Sequence, residues 1–129
     1  MDIKDINNTP DTTAEFDPKD IADNKVMAVL AYLSWLVLIP LLAAPKSKYA
    51  RFHTNQGLVL AIAEIIWSIV FSIVSGIVAG ILPFLGAIFS LIGSLVGLVF
   101  LIFSILGIVN AAQGKAKEVP IVGKFKLLK

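Results

Sequence analysis

Glu64 is the sole charged residue between Gly57 and Asn110. A carboxylate inside so long an apolar run is costly and ordinarily faces protein, water or a partner group. On a helix running from Tyr49, residues His53, Gly57, Leu60 and Glu64 recur at i, i+4, i+7 and i+11, so one face carries both an imidazole and the acid. Asn110 and Gln113 close the same apolar stretch and return to the same end of it. Arg51, His53, Asn55, Gln56, Glu64, Asn110 and Gln113 thus form a candidate polar vestibule. Two chemistries fit it. One is an ion- or proton-binding mouth; the other is internal pairing of Glu64 with Arg51 or a lysine, with the amides capping helix ends. One histidine and no cysteine fall short of a usual metal-ligand set, so neither a metal nor a cofactor is expected. No nucleophile–base–orienter set, phosphate loop or carboxylate pair occurs outside the acidic first 25 residues. No catalytic residue is assigned, and the expectation is a protein that is not an enzyme.

These side chains must be held by elements suited to lipid. The 129 residues are 57% hydrophobic and 16% charged, whereas a soluble domain carries roughly a quarter charged residues. A small globule in water needs more polar surface than this chain possesses. The expected fold class is all-α, an integral membrane protein of three transmembrane helices with the last two forming a tight hairpin. The first span is predicted at 26–44, where no charge occurs and Pro40 predicts a kink or a frayed last turn. Residues 57–110 are too long for one crossing at 1.5 Å per residue and must fold back. Gly80 to Gly86, with Pro83 between, is the break, which leaves spans at 57–80 and 86–110. Residues 1–24 read as a polar acidic tail, flexible up to about Glu15, in which Asp17 caps a short helix begun by Pro18. Residues 25–129 form the membrane domain with a basic tail.

The charges divide unevenly. Seven of nine acids lie in the first 25 residues, while Lys46, Lys48 and Arg51 mark the 45–56 loop and five lysines mark residues 111–129. With three spans the basic loop and the C-terminus share one side, and the positive-inside rule places them in the cytoplasm and the N-terminus outside a bacterial cytoplasmic membrane. The same cations suit anionic lipid headgroups and give no reason to expect nucleic acid. Helices in lipid associate through small residues. Ser68, Ser72, Gly76 and Gly80 on the second span and Gly86, Ser90, Gly93 and Gly97 on the third are therefore the predicted packing stripes, for the hairpin or for a homo-oligomer.

Several blocks are recognisable. Ala28 to Leu33, Ile39-Pro40-Leu41, Ala50 to Leu58, Asn110 to Lys115 and Val119 to Lys124 resemble a family of small bacterial polytopic membrane proteins labelled as similar to the chloroplast import component, the twenty-kilodalton Tic subunit. The resemblance covers roughly residues 26–128, with Thr54 standing where that family has alanine. It implies a multi-pass helical membrane protein and carries over no catalytic or ligand residue. The functional expectation is a non-enzymatic accessory or interaction subunit with a membrane-protein partner. A channel, transporter or translocation component is the alternative, and a holin-like pore former a further one.

Overall fold

A computed structural model describes residues 6–128, whose regular secondary structure is helical apart from one isolated β-bridge between Asp11 and Lys117. Two long helices dominate, α4 (Lys48–Ile81) and α5 (Pro83–Ala112). Ser47 starts α4 by accepting a hydrogen bond from the Ala50 N–H at 3.0 Å, which satisfies one of the donors every helix start leaves open. Leu82 alone separates the two helices. Its extended backbone (ψ 100°) is what the residue before a proline prefers, and Pro83 at the first helical position lacks only a donor that would have been idle there. The two helices run back against each other, with Gly93 facing Phe71 and the Tyr49 hydroxyl donating to the Ala111 carbonyl at 2.8 Å.

Along this pair the environment changes. From Ala61 to Ile102 the side chains are apolar except for Glu64 and five serines, and largely uncovered, and only 17% of the most apolar stretch of each helix is buried. A core helix of a soluble protein would be mostly covered. The other end, Tyr49 to Leu60 on α4 and Phe103 to Ala111 on α5, is buried beneath the rest of the chain. The molecule is therefore a polar-rich head with a bare apolar stalk.

Residues 26–44 do not form the continuous helix their composition predicts. They break into α2 (Lys25–Leu30), a 3₁₀ turn (Ser34–Val37) and α3 (Leu38–Ala43). Ser34 takes a positive φ of 58°, a left-handed conformation that ends any right-handed helix. Pro40 falls in the first turn of a new helix, where it is tolerated, rather than near the end of an old one. Two glycines admit the bend. A Cβ on Gly57 would collide with the Ala31 carbonyl oxygen, and one on Gly107 with the Tyr32 ring. The segment thus rises along α5 and returns along α4, so both of its ends lie at the head.

The head is completed by the chain termini. Asp17 accepts from the Lys19 N–H at 2.9 Å and opens α1 (Pro18–Asp23). Asp20 on α1 then accepts from the Ser47 hydroxyl and the Tyr49 N–H, at 2.6 and 2.9 Å, and so caps α4 from outside. The segment expected to be free up to Glu15 is held from Asn7 onward. Thr12 N–H donates to the Ala116 carbonyl at 3.0 Å, and Thr9 donates to that of Glu118 at 2.5 Å. At Asp11, hydrogen bonds from the Thr13 hydroxyl and N–H hold the carboxyl below the ordinary carboxylate range. Both terminal segments therefore share one end of the molecule, not the opposite faces that three spans would demand. The core joins Ala28, Ala31 and Tyr32 to Tyr49, Leu60, Phe103, Ala116 and Val119.

Candidate functional site

The first turns of α4 carry an unusual density of buried polar side chains: His53, Thr54, Asn55 and Gln56 are all covered. Burying such groups is costly unless each finds a partner, and the C-terminal segment supplies the partners. Gln56 Nε2 donates to the Gly123 carbonyl, while its Oε1 accepts from the Val119 N–H, both at 2.9 Å. Asn55 Nδ2 donates to the Phe125 carbonyl at 2.9 Å, and its Oδ1 accepts from the N–H groups of Leu127 and Leu128. Thr54 donates to the Ala50 carbonyl one turn back.

His53 links three segments. Its Nε2 lies 2.9 Å from the Lys115 carbonyl and its Nδ1 2.5 Å from the Tyr32 hydroxyl. A carbonyl only accepts, so Nε2 carries the proton and Nδ1 receives the Tyr32 O–H. Asn110 exchanges a reciprocal pair of bonds with Asn7, at 3.0 and 3.1 Å. Gly114, with φ +76°, ends α5, and the Lys115 N–H reaches back to the Asn110 carbonyl at 2.8 Å, a left-handed helix stop. These groups form a clasp that fastens both termini to the base of the long helices.

The seven candidate vestibule residues do not all meet. His53, Asn55, Gln56 and Asn110 lie in the clasp. Arg51 lines a surface cleft of about 490 Å³ together with Asn55, Phe16, Lys48, Phe52, Glu118 and Lys126. Gln113 is exposed at the end of α5. Glu64 stands three turns beyond His53, half-buried beside Ser34 and Ser104. Of the packing stripes, Gly86 abuts Ala79 and Gly93 abuts Phe71, whereas a Cβ on Gly76, Gly80 or Gly97 would meet nothing within 4 Å. Ser68, Ser72 and Ser90 line an open groove along the stalk.

Three contributors were not legible as site residues: Asp20, Tyr32 and Asn7. Each acts across a long sequence separation, and no local spacing marks it. A further one is backbone. Ile121 has φ 64° and ψ −60°, and the Val122 N–H bonds the Pro120 carbonyl at 2.6 Å. This is a γ-turn of the strained hand, and it delivers the Gly123 carbonyl to Gln56.

Chemically the clasp is closed. Its donors and acceptors are consumed by one another, and among the described residues no three His, Cys, Asp or Glu side chains converge to hold a metal. What remains open is the cleft, where an aromatic floor from Phe16 and Phe52 meets Lys48 and the Lys126–Glu118 ion pair (3.0 Å).

Comparison with known proteins identifies the lineage. Residues 23–126 match the magnetosome magnetite crystal formation protein family. The magnetosome protein MmsF of Paramagnetospirillum magneticum is 34% identical over 101 residues, 78% of this chain and 83% of that protein. The magnetosome protein MamF of the same organism is 34% identical over 103 residues, 80% and 82% of the two chains. No solved structure matches the chain. The resemblance to the chloroplast import component is thereby corrected. Among its quoted blocks, Ala50 to Leu58, Asn110 to Lys115 and Val119 to Lys124 are the parts that build the clasp. They specify how helix ends are fastened, and such architecture does not carry an activity with it.

Proposed function

The chain belongs to the magnetosome magnetite crystal formation protein family, and from that premise we propose that it is a membrane-embedded, non-enzymatic accessory of magnetite crystal formation. The observation that carries this reading is the division between stalk and head. Residues 61–81 of α4 extend about 31 Å at 1.5 Å per residue, which equals the ~30 Å hydrocarbon core of a bilayer. The opposing part of α5 is of like length and equally bare. Two crossings then join at Leu82, whose neighbours Ile81 and Phe84 are uncovered and apolar. Glu64 lies about 26 Å from that turn, close to the head-side boundary, where a carboxyl reaches water easily.

In this arrangement both termini lie on one side, together with Lys46, Lys48, Lys115, Lys117, Lys124 and Lys126. The positive-inside rule makes that side cytoplasmic. The stalk anchors, the clasp fixes the head, and the cleft of Phe16, Phe52 and Lys48 is the surface offered to another protein. A magnetite-forming bacterium deprived of its own members of this family tests the reading. Expression of this chain is expected to shift crystal size or shape toward the parental distribution in electron micrographs. Unchanged crystals, with the protein present in the membrane fraction, would overturn it.

A further inference from the structure

We infer that the apolar bend at 31–42 is a wedge inserted into the head-side leaflet alone, so that this protein prefers a bilayer curved convexly toward its head. The inference rests on the two crossings proposed above and concerns what surrounds their base. Trp35 and Leu42 are 74% and 78% exposed, and Leu33, Leu38 and Ile39 are also uncovered. Single exposed apolar residues need no explanation, but five on one short segment form a patch. Its occupant follows from continuity. Leu33 and Ser34 line an open groove with Trp67 and Leu101 of the stalk and Ile105 at its base. This end of the patch therefore prolongs the lipid-facing surface sideways at the level of Glu64, while Leu42 lies nearer the head beside Asp20 and Lys46. Lysines flank it in sequence, Lys25 before and Lys46 and Lys48 after, all exposed at the head, as an interfacial segment among anionic headgroups requires.

The cross-section of the molecule is consequently unequal. Between Ser34 and the head four chain passages lie side by side: α4, α5, and the rising and returning arms of the bend. Near Leu82 only the two helices remain. With each helix roughly 10 Å across, the head-side leaflet must make room for about twice the protein area of the far leaflet. A bilayer that curves toward the head relieves that imbalance.

The chain has two tryptophans, so Trp67→Phe leaves Trp35 as a depth probe. The protein is inserted from outside into preformed anionic vesicles, which keeps the polar head on the convex face. Lipids brominated near the headgroup end of the acyl chain should quench Trp35 best. Strongest quenching by bromines at the chain ends, as a full crossing at 26–44 would give, overturns the inference, and so does absence of quenching. Small sonicated vesicles should take up about threefold more protein per lipid than large extruded ones, a preference the triple variant Trp35→Gln, Leu38→Gln, Leu42→Gln loses. Equal uptake by wild type on both sizes overturns it too. Resistance to alkaline carbonate separates the two readings: a protein that stays in the membrane without size preference refutes the wedge alone, whereas one that washes off refutes the crossings.

Discussion

Gly57 and Gly76 lie on one helix, yet their surroundings differ. At Gly57, in the head, a methyl group would strike the Ala31 backbone; at Gly76, on the stalk, it would meet nothing within 4 Å. The head is a conventional protein interior, where the buried side-chain polar atoms of the described residues have partners. On the stalk the two helices meet along one seam, at Gly86 with Ala79 and Gly93 with Phe71, and their outer faces are bare. Small residues therefore mean two things within one chain: steric necessity at Gly57 and Gly107 in the head and at Gly86 and Gly93 on the seam between the long helices, and open surface at Gly76, Gly80 and Gly97.

The contrast can be broken at graded points. Gly57→Ala should cost most, about 3 kcal/mol, because a backbone segment rather than a flexible side chain must move. Denaturant titration in detergent micelles checks it, and an unchanged midpoint would show that α2 does not seat on α4 as described. Gln56→Leu comes next, at about 2–3 kcal/mol, since the Gly123 carbonyl and the Val119 N–H both lose their partner while buried. Amide exchange across residues 118–128 should accelerate with it. Tyr32→Phe removes one donor and leaves His53 Nδ1 unmet, a loss of about 1 kcal/mol by the same titration.

On the stalk the sign reverses. Gly76→Ala and Gly97→Ala should leave stability unchanged or raise it by up to about 1 kcal/mol, because alanine restrains the unfolded helix more than glycine. A marked loss at either would mean that the stalk is covered by another chain. The smallest effect is one of pH. The Asp11 carboxyl titrates below its ordinary range when folded, so its contribution is present at neutral pH and lost as pH falls through that lowered value. Acidification should accordingly expose the Thr13 N–H to exchange before the clasp opens, and simultaneous loss of both would deny that the contact is local.

Much of the architecture was legible in local pattern. The absence of charge from Glu64 to Lys115 marked the stalk, and Pro83 between glycines marked its turn. Asp17-Pro18 marked a helix start that the structure contains. Residues 26–44 were misleading, because composition counts apolar residues without counting turns. A stretch of 19 uncharged residues satisfies the length of a crossing whether it runs straight or doubles back. The deciding feature, a left-handed Ser34 with close approaches at Gly57 and Gly107, is a property of contact and not of hydropathy.

The candidate vestibule illustrates the same limit. His53 and Glu64 both lie on α4, but helical spacing says nothing about what covers each residue. His53 is sealed by Tyr32 and Lys115, while Glu64 stands beside an open surface. Nor could spacing reveal that the acidic first segment lies on the basic last one, since their bonds join residues more than 100 positions apart.

From sequence alone came the solvent: too few charges to wet a globule, and apolar runs of bilayer length, follow from transfer free energies that each side chain carries wherever it sits. Tertiary structure alone decided the path of residues 26–44 and the company of the terminal segments. Those depend on which backbone can approach which, and approach is set by the absence of a Cβ at Gly57, the hand of one serine, and carbonyls that only a distant amide could reach.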